Sequence, residues 1–151
     1  MLAPVFLLAA CGKLDEIDIS GYADQKIEIS GIGDGPVSVT IGDLKQMDCA
    51  TVTTESTSDK IGEVRATGVW LNTLLKPYGT KQKQIKKITI TGEDDYDISL
   101  RQEYLKKHPV MLAFGINGKP LDEDAVPCRI IIKRSDSAYW VRRVTKIQIE
   151  R

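Results

Sequence analysis

Apolar and polar residues alternate at period two through most of this chain, the pattern of half-buried strands. Ile27 to Ser30 and Val37 to Ile41 alternate in this way on either side of the turn-rich Gly31 to Pro36, which predicts an antiparallel pair. Gly42 to Met47 reads as one helical turn with Asp43 near its N-cap. Ala50 to Thr57 is β-branched and polar, a strand whose far end enters a loop at Ser58 to Gly62. Thr67 to Lys76 carries Val69, Trp70, Thr73 and Leu74 at helical spacing before Pro77 and Gly79, so a helix burying Leu71, Leu74 and Leu75 is expected. Ile85 to Thr91 and Tyr96 to Leu100 alternate again, joined by a tight turn over Gly92 to Asp95. Gln102 to Lys107 predicts a short helix broken at His108-Pro109. Val110 to Ile116 is the most continuous apolar run of the domain and therefore the expected central strand. A turn at Asn117-Gly118, a buried strand over Arg129 to Lys133 and a last strand over Val141 to Ile149 complete a single α+β, mainly β domain.

The first residues follow a different pattern. Leu2 to Ala10 is wholly apolar and leads into Leu8-Ala9-Ala10-Cys11 followed by Gly12 and Lys13. This resembles the short apolar region and lipobox of bacterial lipoproteins, in which the Cys becomes the first mature residue and carries the lipid. No basic residue precedes the run. The expected organisation is a signal peptide over 1–10, lipidation at Cys11, an acidic tether over 11–25 and the domain over 26–151. The implied location is extracytoplasmic, with the chain held on the bacterial cell membrane by its lipid.

Composition adds one constraint and hides another. Among 151 residues, 21 Lys and Arg balance 21 Asp and Glu, so no overall field draws the chain to nucleic acid or to an anionic membrane. The balance is uneven along the sequence. Gly12 to Ala50 holds 3 basic and 8 acidic residues, Thr51 to Cys128 holds 11 of each, and Arg129 to Arg151 holds 7 and 2. A local anion site in the final quarter, beside Tyr139 and Trp140, is therefore compatible with a net charge of zero.

Candidate chemistry is sparse. His108, the only histidine, reads as a turn residue at a helix end. The acidic runs Glu93 to Asp97 and Asp122 to Asp124 match no Ca²⁺ loop and read as solvated turns. Ser135 has no base that the sequence can identify. Cys49 and Cys128 either pair, as an extracytoplasmic location permits, or stay as free thiols.

The order of landmarks is more specific. Asp43-Leu44-Lys45, Thr67-Gly68-Val69-Trp70-Leu71 with Leu74-Leu75, and Asp94-Asp95-Tyr96 leading to Ser99-Leu100 make a first half. Leu112-Ala113-Phe114, Asn117 to Leu121, Pro127-Cys128-Arg129 with Ile130 to Ile132, and Tyr139-Trp140-Val141 make a second. Together they resemble the molybdopterin-binding domain of the sulfite oxidase family, in a small lipoprotein form, from about Ile27 to Arg151. The resemblance implies a mainly β fold, a sheet joining the Val110 and Val141 runs, and a molybdenum cofactor held at one end through one Cys thiolate. That Cys stands in the family shortly before the segment matching Gly68 to Leu71. Here the matching stretch is Thr54 to Ser58, with no Cys, and Cys49 lies about eight residues early, roughly 26 Å along a strand. Arg129 matches the family's Pro-x-Arg, and Asp95 stands where the family's Asp-Gly-Tyr has Gly. By resemblance, a pocket would take Arg129 as anion contact, Tyr96 and Trp140 as walls, and Thr57 and Ser58 at the place of the metal ligand. Two readings follow: a binding or interaction module without bound molybdenum, recognising a small anionic ligand or a redox partner protein, or a molybdopterin-dependent oxidoreductase or a subunit of one. An unrelated envelope structural protein is the third, if the landmarks coincide by chance.

Overall fold

The computed structural model describes residues 14–57, 62–92 and 95–151. Cys11, Ser58 and Asp94, named above, lie outside the described residues. Alternation places the strands as expected at the start: β1 (Lys26–Ser30) buries Ile27 and Ile29, and pairs antiparallel with β2 (Val37–Thr40). The one-turn helix α1 (Ile41–Lys45) follows. Thr40, not Asp43, is its N-cap; Asp43 is the N3 partner of a reciprocal capping box, its carboxylate accepting the Thr40 N–H at 3.0 Å. A hydroxyl at the N-cap and a carboxylate three residues on satisfy two orphan donors together.

β3 (Ala50–Glu55) and β4 (Glu63–Trp70) form an antiparallel pair, and the helix α2 (Leu71–Leu75) begins only at Leu71. The helix expected from Thr67 is thus half strand. The register between β4 and β7 (Val110–Ile116) shifts between Thr67 and Gly68. That shift breaks the simple alternation and puts Ala66, Thr67, Gly68 and Val69 all in the interior, a run that reads as a helical face in sequence. β5 (Lys87–Gly92) and β6 (Asp97–Arg101) make the expected hairpin, with Asp95 at φ 60° in its turn. The short helix α3 (Gln102–Leu105) leads to β7, then β8 (Lys119–Pro120), β9 (Arg129–Ile132) and β10 (Val144–Glu150).

Two five-stranded sheets result. One runs β2-β1-β10-β5-β6, with β1 and β10 parallel; the other runs β3-β4-β7-β8, with β9 also pairing β7. β7 is central, as its apolar run predicts, and Val110 to Gly115 are all buried. The Val110 and Val141 runs do not share a sheet. They meet through β9, which pairs β7 and donates the Ile130 N–H to Val141 O at 2.8 Å. A second bond, from the Val144 N–H to Cys128 O at 2.9 Å, joins the same two segments before β10 enters the other sheet.

The acidic stretch before Lys26 is packed, not a tether, wherever it is described. Ile17, Ile19 and Tyr22 belong to the hydrophobic core. Tyr22 donates its hydroxyl proton to Phe114 O at 2.5 Å and accepts from the Leu121 N–H at 3.1 Å. Lys45 Nζ holds Ile17 O at 2.6 Å, and Arg65 Nε holds Asp15 at 2.6 Å. Scattered carboxylates made this stretch look solvated, yet the apolar residues between them recur at 17, 19 and 22 and all face inward. No helix among the described residues is long and apolar enough to cross a membrane.

Candidate functional site

The connection from β9 to β10 builds the site. Arg134 sits at φ 57° and Arg143 at φ 54°, and between them Asp136 caps a short turn over Ser137–Tyr139 by accepting the Ala138 N–H at 2.9 Å. Tyr96, from the β5–β6 turn, donates its hydroxyl to Ala138 O at 2.9 Å. Trp140 is buried and donates its indole N–H to Ile132 O at 3.1 Å. Gly92, Tyr96, Ser137, Ala138, Trp140, Val141 and Arg142 enclose a cavity of roughly 280 Å³. Tyr96 and Trp140 therefore line the same small cavity, one exposed and one buried.

Arg129 is not among that lining. It opens β9 opposite Ala113, half-buried, with its Nε buried and without a hydrogen-bond partner. Burial, then the neighbouring Arg142, hold its pKa below the ordinary value, while Asp124 and Asp122 act in the other direction. Arg142 is itself paired with Asp124 at 3.2 Å. Asp124 thus serves both arginines, and with Asp122 it works against the desolvation of the Arg129 guanidinium.

Thr57 lies against the same connection from the other side. Its N–H donates to Ser135 O at 3.2 Å, and Ser56 Oγ accepts the Ser137 N–H at 2.8 Å. Of the stretch that the family resemblance gives to the metal ligand, the described residues end at Thr57; its backbone N–H and the Ser56 hydroxyl are tied to residues 135–137, while the Thr57 side chain is exposed. A thiolate-held molybdenum needs a soft, ionisable sulfur there. Between Cys49 and Cys128 the sequence holds no cysteine. Cys49 precedes β3, at the end away from Thr57, and its Sγ donates to Leu44 O at 3.4 Å and Met47 O at 3.3 Å. Cys128 is fully buried. Burial raises both thiol pKa values, Cys128 most strongly, so both stay protonated. Both are free cysteines, not a disulfide. The residues present do not fit a molybdenum held by a protein thiolate.

One cluster escaped the sequence reading. Tyr104 donates its hydroxyl to Ser135 Oγ in a short hydrogen bond, stacks on His108 at 4.1 Å and meets Tyr139 edge-on at 5.6 Å. His108 Nδ1–H donates to Lys133 O at 3.0 Å. The spacing of Tyr104 and His108, four residues apart, was the available signal. It couples the helix end to the β9–β10 connection, and the His108 turn role holds. Ser135 is buried, with Tyr104 rather than a histidine or carboxylate as its partner, so it is not an activated nucleophile.

A family model, oxidoreductase molybdopterin binding domain, matches residues 14–151. No curated protein matches the chain at a significant level. Among solved structures the chain is similar to the sulfane dehydrogenase SoxCD from Paracoccus pantotrophus, with a TM-score of 0.68 and 24% identity. That match covers 89% of this chain and 39% of the SoxCD chain, so this chain spans well under half of its structural neighbour, and the likeness shows the fold. On the match over residues 14–151 and the two-sheet architecture that carries it, the chain belongs to the oxidoreductase molybdopterin binding domain family and has the sulfite-oxidase-type fold.

Proposed function

We propose that this chain is a lipid-anchored extracytoplasmic lipoprotein whose sulfite-oxidase-type domain works as a binding or interaction module without bound molybdenum. The observation that carries the reading is the want of a usable thiolate: Thr54 to Ser58 holds no Cys where the family resemblance places one, and burial raises the pKa of both Cys49 and Cys128. The Leu8-Ala9-Ala10-Cys11 segment supports the anchor. The module's ligand is a small anion or a redox partner protein, met at Arg129 and its neighbour Arg142, which also lines the Tyr96–Trp140 cavity. Arg129 supports an anion contact because its buried Nε donor has no protein acceptor, and an unsatisfied buried donor is costly unless a ligand or water completes it.

Membership of the family supports a second reading, a molybdopterin-dependent oxidoreductase or a subunit of one. One preparation separates the two. The full chain is produced in a bacterial host that makes the molybdenum cofactor, extracted from the membrane fraction with detergent, and its molybdenum measured by mass spectrometry against protein. The module reading expects recovery in the detergent phase with molybdenum far below stoichiometric. One molybdenum per chain would sink that reading in favour of the oxidoreductase.

A further inference from the structure

A second cavity, of roughly 620 Å³, opens at the other end of the β5–β6 hairpin from Tyr96. It is more than twice the volume of the Tyr96–Trp140 cavity and falls in the size range of small-molecule sites. Lys76, Lys81, Lys83 and Lys106 stand around it, and no lining residue is acidic. None of the four forms an ion pair among the described residues, where the pairs use Lys45, Arg65, Lys87 and Arg142 instead. Four lysines without an ion-pair partner among the described residues border one concavity, which makes its surroundings electropositive and favourable to an anion.

Apolar residues also line this cavity. Leu105 is buried and Pro109 lies beside it. Gln82, also buried, ties three elements together: its Nε2 donates to Leu105 O and His108 O at 2.8 Å each, and its Oε1 accepts the Val110 N–H at 3.1 Å. Asn72, also in the lining, accepts the Gln82 N–H on its Oδ1 at 2.6 Å. Thr80 is held by Arg151 Nη1 at 3.3 Å, adding a fifth cation behind the lining.

We propose that this cavity binds an organic phosphate monoester, its phosphate among the lysines and its apolar portion on Leu105 and Pro109. Ammonium groups act as point charges with freely turning donors, which suits a compact dianion; a planar monocarboxylate is better matched by the fork of an arginine. The apolar lining distinguishes the ligand from free phosphate. The site stands on observations separate from Thr57 and Arg129, so it holds whether or not the domain carries molybdenum.

Calorimetric titration of the full chain at low salt with phenyl phosphate, inorganic phosphate and benzoate tests this. Saturable binding of phenyl phosphate is expected, with both other probes weaker. The double substitution K76Q/K81Q should weaken phenyl phosphate about tenfold or more, while K26Q, on the exposed start of β1, leaves it unchanged. All these lysines are exposed, so the fold should survive, checked by circular dichroism. Absence of saturation, equal binding of benzoate or inorganic phosphate, or equal loss in K26Q would overturn the proposal. Sedimentation with phosphatidylcholine vesicles, with and without phosphatidic acid, then assigns the source. Binding that requires phosphatidic acid and is lost in K76Q/K81Q assigns the monoester to a lipid headgroup; phenyl phosphate binding without vesicle binding assigns it to a soluble ester.

Discussion

A methyl group at Gly68 would sit 2.1 Å from Leu112 O and 2.6 Å from Ala113 Cα. Both are backbone atoms of the central strand, which cannot yield without opening the β4–β7 pairing. Gly68→Ala should therefore cost ~3 kcal/mol, read as a lowered urea midpoint with an unchanged slope. Cys128 makes a second residue-scale prediction. Its thiol is fully buried and its pKa is raised above the ordinary value of 9.0 by desolvation alone. The unfolded chain ionises this thiol from about pH 9 while the folded chain keeps it protonated, so the unfolded state binds fewer protons as pH rises. Stability is fully present below that pH and falls above it, by about 1.4 kcal/mol per pH unit for one group. Tyr22, raised above 10.0 chiefly by desolvation, adds the same sign one unit higher. Cys128→Ala should lower the slope of that loss from pH 9 upward and leave the contributions of Cys49 and Tyr22, both also raised by burial, as denaturation midpoints from pH 8 to pH 11 will report. Arg129 and Tyr104 show two kinds of legibility. The Pro-x-Arg spacing marked Arg129, but which groups surround its guanidinium depends on β9 meeting Arg142 and Asp124 from other parts of the chain.

At the scale of elements, strands bounded by turns were readable, whereas one strand with a register shift, β4, was read in part as a helix. The β5–β6 hairpin and the antiparallel β1–β2 pair follow from alternation and turn residues alone. β4 did not, because its shift at Thr67 and Gly68 buries consecutive residues. The stretch before β1 was misread for the opposite reason: three inward apolar residues were outnumbered by carboxylates. Ile17 is 1% exposed and packs onto Gly115, where an added Cβ would lie 2.5 Å from its Cγ1. Ile17→Ala should cost about 3 kcal/mol, the range for emptying a buried aliphatic position. Chemical denaturation checks it, since a free tether would give no change.

For the molecule as a whole, the sequence by itself determined a mainly β domain, its central strand, its turns and the absence of a thiol where the family places one. These depend on period, turn chemistry and residue identity, which are local. The tertiary structure decided what Thr57 meets, since its backbone contact with Ser135 joins distant parts of the chain. It also separated the basic residues into distinct environments. Arg129 and Arg142, of which the second lines the Tyr96–Trp140 cavity, share Asp124, whereas four lysines from the segments around α2 and α3 line the larger one without acids. A net charge of zero and a list of lysines contain neither arrangement, because convergence of charges is set by how strands and connections pack, and only that packing brings distant residues within Coulombic reach.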